Sequence, residues 1–166
     1  CRTVGFDLDV SKISTYKSGV DKAGEVSAEQ FSAAHNLVFS SESKDLVGCD
    51  IYIVVVPTPV DDSNRPDFEP LLKASETVGP GMASGETVIF ESTVYPGATE
   101  EDCVPVLERV SGLTFNRDFF CGYSPERINP GDKDRRLPNI VKVTSGSTPE
   151  AADRIDALYS SIIPAG

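Results

Sequence analysis

Apolar residues along the chain fall into short runs of two kinds. Continuous runs occupy Thr3 to Asp9, Asp50 to Val56, Thr87 to Phe90, Phe119 to Tyr123 and Ile140 to Val143. All five predict strands; Asp50 to Val56, β-branched and aromatic without polar alternation, predicts a strand of a parallel sheet covered on both faces, and Thr3 to Asp9 and Thr87 to Phe90 predict buried strands. Leu37-Val38-Phe39 predicts a shorter strand. The second kind recurs at helical spacing: Val10 to Ser18, Ala28 to Ala34, Phe68 to Val78, and Ala151 to Ile163 after Thr148-Pro149. Asp9 is placed to cap the first of these helices and Gly19 to end it, while Asp67 opens the third and Gly79-Pro80-Gly81 closes it. A further helix opens on Thr99-Glu100-Glu101-Asp102, acids suited to the positive end of its dipole, and presents Cys103, Val106, Leu107 and Val110 on one face. Pro105 falls too late for a first turn, so this helix is expected to start after it or kink there.

Strands alternating with helices through short loops predict an α/β fold, a Rossmann-like doubly wound, mainly parallel sheet. Such a sheet normally opens on a strand, a Gly-rich turn and a helix whose N-terminus holds a pyrophosphate. No GxGxxG occurs in this sequence. The chain opens instead on what reads as the second strand, so the expectation is a sheet lacking its first strand, Gly-rich turn and first helix. Two strand edges would then be left unpaired. The polar stretches Asp61 to Pro66 and Gly131 to Pro138 follow strand ends, where ligands bind in sheets of this type.

A length of 166 residues allows one domain with a real core. The formal net charge of −11 argues against nucleic acid as a partner, since so acidic a chain repels a polyphosphate backbone. No apolar run approaches the roughly 18 residues of a membrane span, and the N-terminus lacks a signal pattern, so no membrane role is expected and the cytoplasm is the default location. Cys1, Cys49, Cys103 and Cys121 are dispersed and His35 is the only histidine, which points away from a metal site or a disulfide framework. None of the four has the neighbouring base of an activated nucleophile.

Candidate chemistry sits at the ends of the predicted strands. Asp7 can accept hydrogen bonds from the two hydroxyls of an adenosine ribose and would repel a 2′-phosphate, favouring NAD over NADP; it can equally just start the next turn. Lys12, one helical turn on, either lies near the adenosine end or is a solvated helix residue. Val56-Pro57-Thr58-Pro59 turns the chain at the end of the most apolar strand, and Glu91-Ser92-Thr93 repeats the arrangement. Thr58 presents a hydroxyl towards the crevice, with prolines that simply end a strand as the plainer reading; the Ser92 and Thr93 hydroxyls suit a nicotinamide ribose or a water, or else cap the following helix. Tyr123-Ser124-Pro125-Glu126-Arg127-Ile128-Asn129-Pro130-Gly131 sets a carboxylate beside a guanidinium in a loop stiffened by Pro and Gly, with a surface ion pair as the plainer reading.

GFDLD, IYIVVVPTPVD, ESTVYPGATEEDC and GYSPERINPGDK, in that order, resemble the UDP-glucose/GDP-mannose dehydrogenase family, nearest the branch that oxidises UDP-N-acetylhexosamines for capsule, O-antigen or Vi-type polysaccharides. The resemblance covers nearly the whole chain as part of the NAD-binding domain, residues 1–166, and implies a soluble homodimer or larger homo-oligomer in the parent enzyme. It implies oxidation of a sugar C6 alcohol to a carboxylate with reduction of two NAD+, by way of a cysteine thiohemiacetal and a thioester that water hydrolyses. Asp7 would bind the adenosine ribose, with Lys12 near it. Val56, Pro57, Thr58, Pro59 and Val60, and Ser92, Thr93 and Val94, would line the cofactor. Thr93 would position a catalytic water, Glu126 would act as general acid/base, and Glu126, Arg127, Ile128, Asn129 and Pro130 would clasp the UDP-sugar. The family's Gly-rich turn, dimer-forming helix, and later domain with its lysine, asparagine and nucleophilic cysteine have no counterpart here, and Lys12 stands where many members carry arginine. The chain alone is therefore expected to be inactive. A non-catalytic adenosine-nucleotide module, holding for example S-adenosylmethionine, is the alternative, though it leaves the Ser124–Gly131 loop without a task. An interaction domain with an empty crevice is the third reading.

Overall fold

In the computed structural model, which describes residues 1–60, 66–125 and 140–163, strand pairing divides the chain into two units, Cys1–Val47 and Gly48–Gly166. In the first, β1 (Thr3–Phe6) pairs in parallel with β2 (Leu37–Ser40), Thr3 opposite Leu37 and Phe6 opposite Ser40. Between them run α1 (Val10–Lys17) and α2 (Ala28–Ala33). Asp9 caps α1 by accepting the amides of Ser11 and Lys12 at 2.8 and 3.2 Å, the role its position predicts. Ser27 and Gln30 form a reciprocal capping box that starts α2. The core of this unit is small: Ile13 and Leu46 are buried, and the rings of Tyr16, Phe31 and Phe39 lie 5.3 to 6.0 Å apart. Gly5 is a packing requirement of β1, because a Cβ there would sit 2.8 Å from the Phe39 ring.

The second unit is built on four strands in the order β3 (Ile51–Val54), β4 (Glu86–Phe90), β5 (Phe119–Tyr123) and β6 (Ser145–Gly146). The first three are parallel and β6 is antiparallel to β5. The protein is thus α/β with mainly parallel pairing. Every residue of β4 is buried, as a continuous apolar run predicts for a central strand. One face carries Ile89 and Gly122 under α5 (Pro149–Ser160), where Ile89, Ile155, Tyr159 and Ile163 form a cluster joined by Ile51 and Leu158. The other face carries Tyr52, Val54, Val88, Phe90 and Cys121. The helices α3 (Glu69–Val78) and α4 (Val104–Ser111) bury Leu71 and Leu107 almost completely.

Three sequence expectations need correction. The run 50–56 forms a strand only over Ile51–Val54, and it is covered on one face: Tyr52 and Val54 are buried, whereas Ile53 and Val55 are 44% and 69% exposed. The cause is its position, since among the described residues β4 is its only sheet neighbour. Likewise β1 has β2 alone, so each strand presents an unpaired edge. The run Ile140 to Val143 is not a strand at all. Val141 and Val143 face outward and Lys142 is buried; the pairing strand begins only at Ser145. Finally, the α-helical part begins at Val104, just before Pro105 rather than after it, and continues from a π-helical turn over Thr99–Cys103. No helix among the described residues is long and apolar enough to cross a membrane.

The join between β6 and α5 depends on the absence of a side chain. A Cβ on Gly146 would lie 2.3 Å from the Ala152 amide nitrogen and 2.6 Å from its Cα, backbone atoms that cannot swing aside. Gly146→Ala is expected to lower the unfolding free energy by about 1–3 kcal/mol in a urea titration, and unchanged stability would contradict this packing.

Candidate functional site

Parallel strands release the chain at the same end of a sheet. Here the Glu91 amide donates to the Val54 carbonyl and the Ser124 amide to the Phe90 carbonyl, both at 3.0 Å, so the segments that leave β3, β4 and β5 start side by side. Two hydroxyls then join the first pair of segments. Ser92 Oγ donates to the Val56 carbonyl at 2.5 Å, and Thr58 Oγ1 to the Thr93 carbonyl at 2.9 Å. Ser92 and Thr58 therefore cross-link neighbouring strand ends rather than cap a helix. This leaves Ser92 buried and Thr93 exposed at the tip.

Pro57, Pro59 and Val60 are exposed beside that tip and Val56 is half-buried. The Asp67 amide donates to the Pro59 carbonyl at 2.7 Å, and Val60 forms an antiparallel bridge with Pro66. Val94 lines a cavity of about 290 Å³ together with Tyr95, Thr99, Glu100, Cys121 and Tyr123. Its size is at the lower end for a small-molecule site. The remaining predicted residues of this region, Glu126, Arg127, Ile128, Asn129 and Pro130, lie outside the described residues. Ser124, just before them, is fully buried, and its Oγ donates to the Val143 carbonyl at 2.8 Å.

In the other unit Asp7 follows β1 directly. Its amide donates to the Ser40 carbonyl, its Oδ1 accepts the Asp9 amide at 2.9 Å, and its Oδ2 accepts Lys12 Nζ at 2.6 Å. Asp7 and Lys12 are thus brought together as an ion pair at the strand's C-terminal end. Each carboxylate oxygen keeps a lone pair for another donor. Leu8, 72% exposed, offers an uncovered apolar side chain next to it, which the sequence reading did not single out. Burial alone would raise the Asp7 pKa. The Lys12 hydrogen bond, the Asp9 amide and the Lys12 charge together outweigh it and hold the carboxyl below its ordinary 3.8. The bond to Asp7 raises the Lys12 pKa in turn.

The cysteines offer no activated thiol in the buried part of the molecule. Burial pushes Cys103 up to about 11 and pushes Cys121 further still. None of the four cysteines is in a disulfide, and no group of three potential metal ligands occurs among the described residues.

One cluster escaped the sequence reading. Lys142 Nζ lies 3.2 Å from Glu91 Oε2 with its side chain 2% exposed, and the Tyr159 hydroxyl donates to Glu91 Oε1. Two signals for it exist in the sequence: a lysine interrupting the apolar run Ile140 to Val143, and a tyrosine on the apolar face of α5, whose hydroxyl needs a partner once buried.

The Asp7–Lys12 pair has a defined pH signature. Because the folded carboxyl titrates below its unfolded value, its stabilisation is present above the ordinary carboxylate range and is lost as pH falls through the lowered value. Carboxyl carbon NMR should place the Asp7 midpoint below 3.8, and Lys12→Met should move it upward. A midpoint at or above 3.8 in the unmutated protein would contradict the pairing.

Residues 1–163 match the NAD-binding domain model of the UDP-glucose/GDP-mannose dehydrogenase family. The chain is 56% identical over 163 residues to a UDP-N-acetyl-D-glucosamine 6-dehydrogenase of Pseudomonas aeruginosa, covering 98% of this chain and 39% of that protein. A protein of the same name from Salmonella typhi is 53% identical over 165 residues, with 99% and 39% covered. The solved structure of a UDP-D-ManNAc dehydrogenase from Pyrococcus horikoshii superposes with a TM-score of 0.88 at 31% identity, covering 98% of this chain and 39% of that one. The chain therefore spans about 39% of the length of the relatives it matches.

Proposed function

Because this chain belongs to the UDP-glucose/GDP-mannose dehydrogenase family, we propose that it is the cofactor-holding part of an enzyme that oxidises the C6 alcohol of a UDP-sugar to the carboxylate while reducing two NAD+. The observation that carries the reading is the alignment of the ends of β3, β4 and β5, with Val56–Thr58 hydrogen-bonded to Ser92–Thr93. A crevice outside the C-terminal ends of parallel strands is where sheets of this class hold nucleotides. Likeness to the two UDP-N-acetyl-D-glucosamine 6-dehydrogenases favours a UDP-N-acetylhexosamine as substrate.

On this reading the fold is a Rossmann-like doubly wound sheet. Residues 1–166 are part of the NAD-binding domain, while the dimer-forming helix, the UDP-sugar domain and the nucleophilic cysteine belong to other parts of the protein, which works as a homodimer or larger homo-oligomer.

NAD+, when bound, supplies the hydride acceptor. Asp7 accepts the adenosine ribose hydroxyls and disfavours a 2′-phosphate, with Lys12 holding the carboxylate ionised and oriented. Val56 to Val60 and Ser92 to Val94 line the cofactor. Thr93, exposed at the tip of β4, orients the water that hydrolyses the thioester, and Glu126 takes and returns its proton. Glu126 to Pro130 hold the sugar nucleotide.

Calorimetric titration of the chain tests this. NAD+ should bind in preference to NADP+, and Asp7→Asn should weaken NAD+ by about 10- to 100-fold, the loss of hydrogen bonds to a charged group. The chain should make no NADH from any UDP-sugar. In the whole enzyme, Glu126→Gln should lower kcat by about 10²- to 10⁴-fold. Preference for S-adenosylmethionine, or no nucleotide binding, overturns the proposal.

A further inference from the structure

Lys142 is the least expected side chain of the second unit. A lysine in water keeps its ammonium solvated, yet this one is buried between a carboxylate, a carbonyl and a ring. Its Nζ lies 3.2 Å from Glu91 Oε2, donates to the Ser124 carbonyl at 3.3 Å, and sits 5.0 Å from the centre of the Tyr159 ring. The Tyr159 hydroxyl completes the group by donating to Glu91. A buried charge persists only when it is paired and hydrogen-bonded, and this ammonium has both.

The group stands at a junction. Glu91 leaves β4 immediately before Ser92 and Thr93. Ser124 leaves β5, and the chain returns at Val143 to pair as β6: Ser124 Oγ donates to the Val143 carbonyl at 2.8 Å and Ser145 Oγ to the Tyr123 carbonyl at 3.1 Å. Lys142 is one residue beyond that base. Its side chain turns inward, while Val141 and Val143 on either side face solvent at 72% and 50% exposure. The ammonium thus ties the departing chain at Ser124 and the returning chain at Lys142 to the end of the neighbouring strand at Glu91. Tyr159 anchors the same carboxylate to α5.

We propose that Glu91, Lys142 and Tyr159 form a positioning latch that fixes the Ser92–Thr93 tip relative to the base formed by Ser124 and Val143. None of the three touches a reacting group in this account; they act through the backbone of Thr93 and Ser124. The consequence for catalysis rests on the proposed dehydrogenase reading, in which Thr93 and the residues after Ser124 work on one water. The structural consequence does not.

The test uses both dependencies. Glu91→Gln/Lys142→Met removes both charges together and leaves no unpaired buried ion, and Lys142→Arg keeps the ammonium's charge and donors. In the 166-residue chain, hydrogen exchange of the Glu91 and Ser124 amides, which donate to the Val54 and Phe90 carbonyls, should accelerate by about tenfold or more in the double variant, while Val88, Ile89 and Leu107 keep their protection. Lys142→Arg should exchange like the unmutated protein. In the whole enzyme the double variant should lose about 10²-fold in kcat, the cost of a misplaced reacting group, and Lys142→Arg should retain it. Unaltered exchange at the Glu91 and Ser124 amides, or uniform acceleration through β4, β5 and α5, overturns the latch. An unmutated enzyme without NADH production overturns the dehydrogenase reading instead, and the exchange result still decides the latch.

Discussion

Val54, Phe90 and Tyr123 occupy one row across three parallel strands, so every segment that leaves them leaves at the same edge and within hydrogen-bond reach of the next. The contacts at the candidate site follow from this register. The Glu91 and Ser124 amides continue the ladder one step past the strands. Beyond it the backbone has no further strand partners, and side chains take over: Ser92 and Thr58 hydroxyls join the ends of β3 and β4, and Lys142 joins β4 to the base beyond β5. A one-residue slip of β4 would turn Ile89 away from Ile155 and exchange the roles of Glu91 and Ser92. Packing and site geometry are thus set by one pairing.

Much of this was legible in the sequence because it rests on local rules. Asp9 capped α1, β4 was buried throughout as its unbroken apolar run required, and Asp7 and Ser92–Thr93 lay at strand ends because each apolar run stopped just before them. What failed depended on partners distant in sequence. Nothing within Asp50 to Val56 reveals that β3 is an edge strand, so Ile53 and Val55 were expected to be covered. Nothing within Ile140 to Val143 reveals that Lys142 has Glu91, 51 positions back by number, as its partner, so the segment was expected to be an ordinary strand. The pairing of Ser92 and Thr58 with backbone carbonyls was likewise invisible, and helix capping looked equally good.

The polar groups of the site share a physical theme. The chain carries a net charge of −11, which alone would repel an anionic dinucleotide at long range. Two carboxylates that directly follow strands are each matched with a lysine, Asp7 with Lys12 and Glu91 with Lys142. The pairs differ in kind. Lys12 is half-exposed, leaving Asp7 open to a ligand, whereas Lys142 is enclosed and Glu91 nearly so. The exposed pair suits recognition and the buried pair suits alignment.

The central claim is that the C-terminal ends of β3 and β4 take part in holding a dinucleotide. Backbone amide chemical shifts recorded while NAD+ is added address it directly. The account predicts the largest changes at Asp7 to Asp9, at Val56 and Thr58, and at Ser92 to Val94. Changes confined to the opposite ends of the strands, at Asp50, Gly85 and Phe119, or no changes at saturating NAD+, would contradict it.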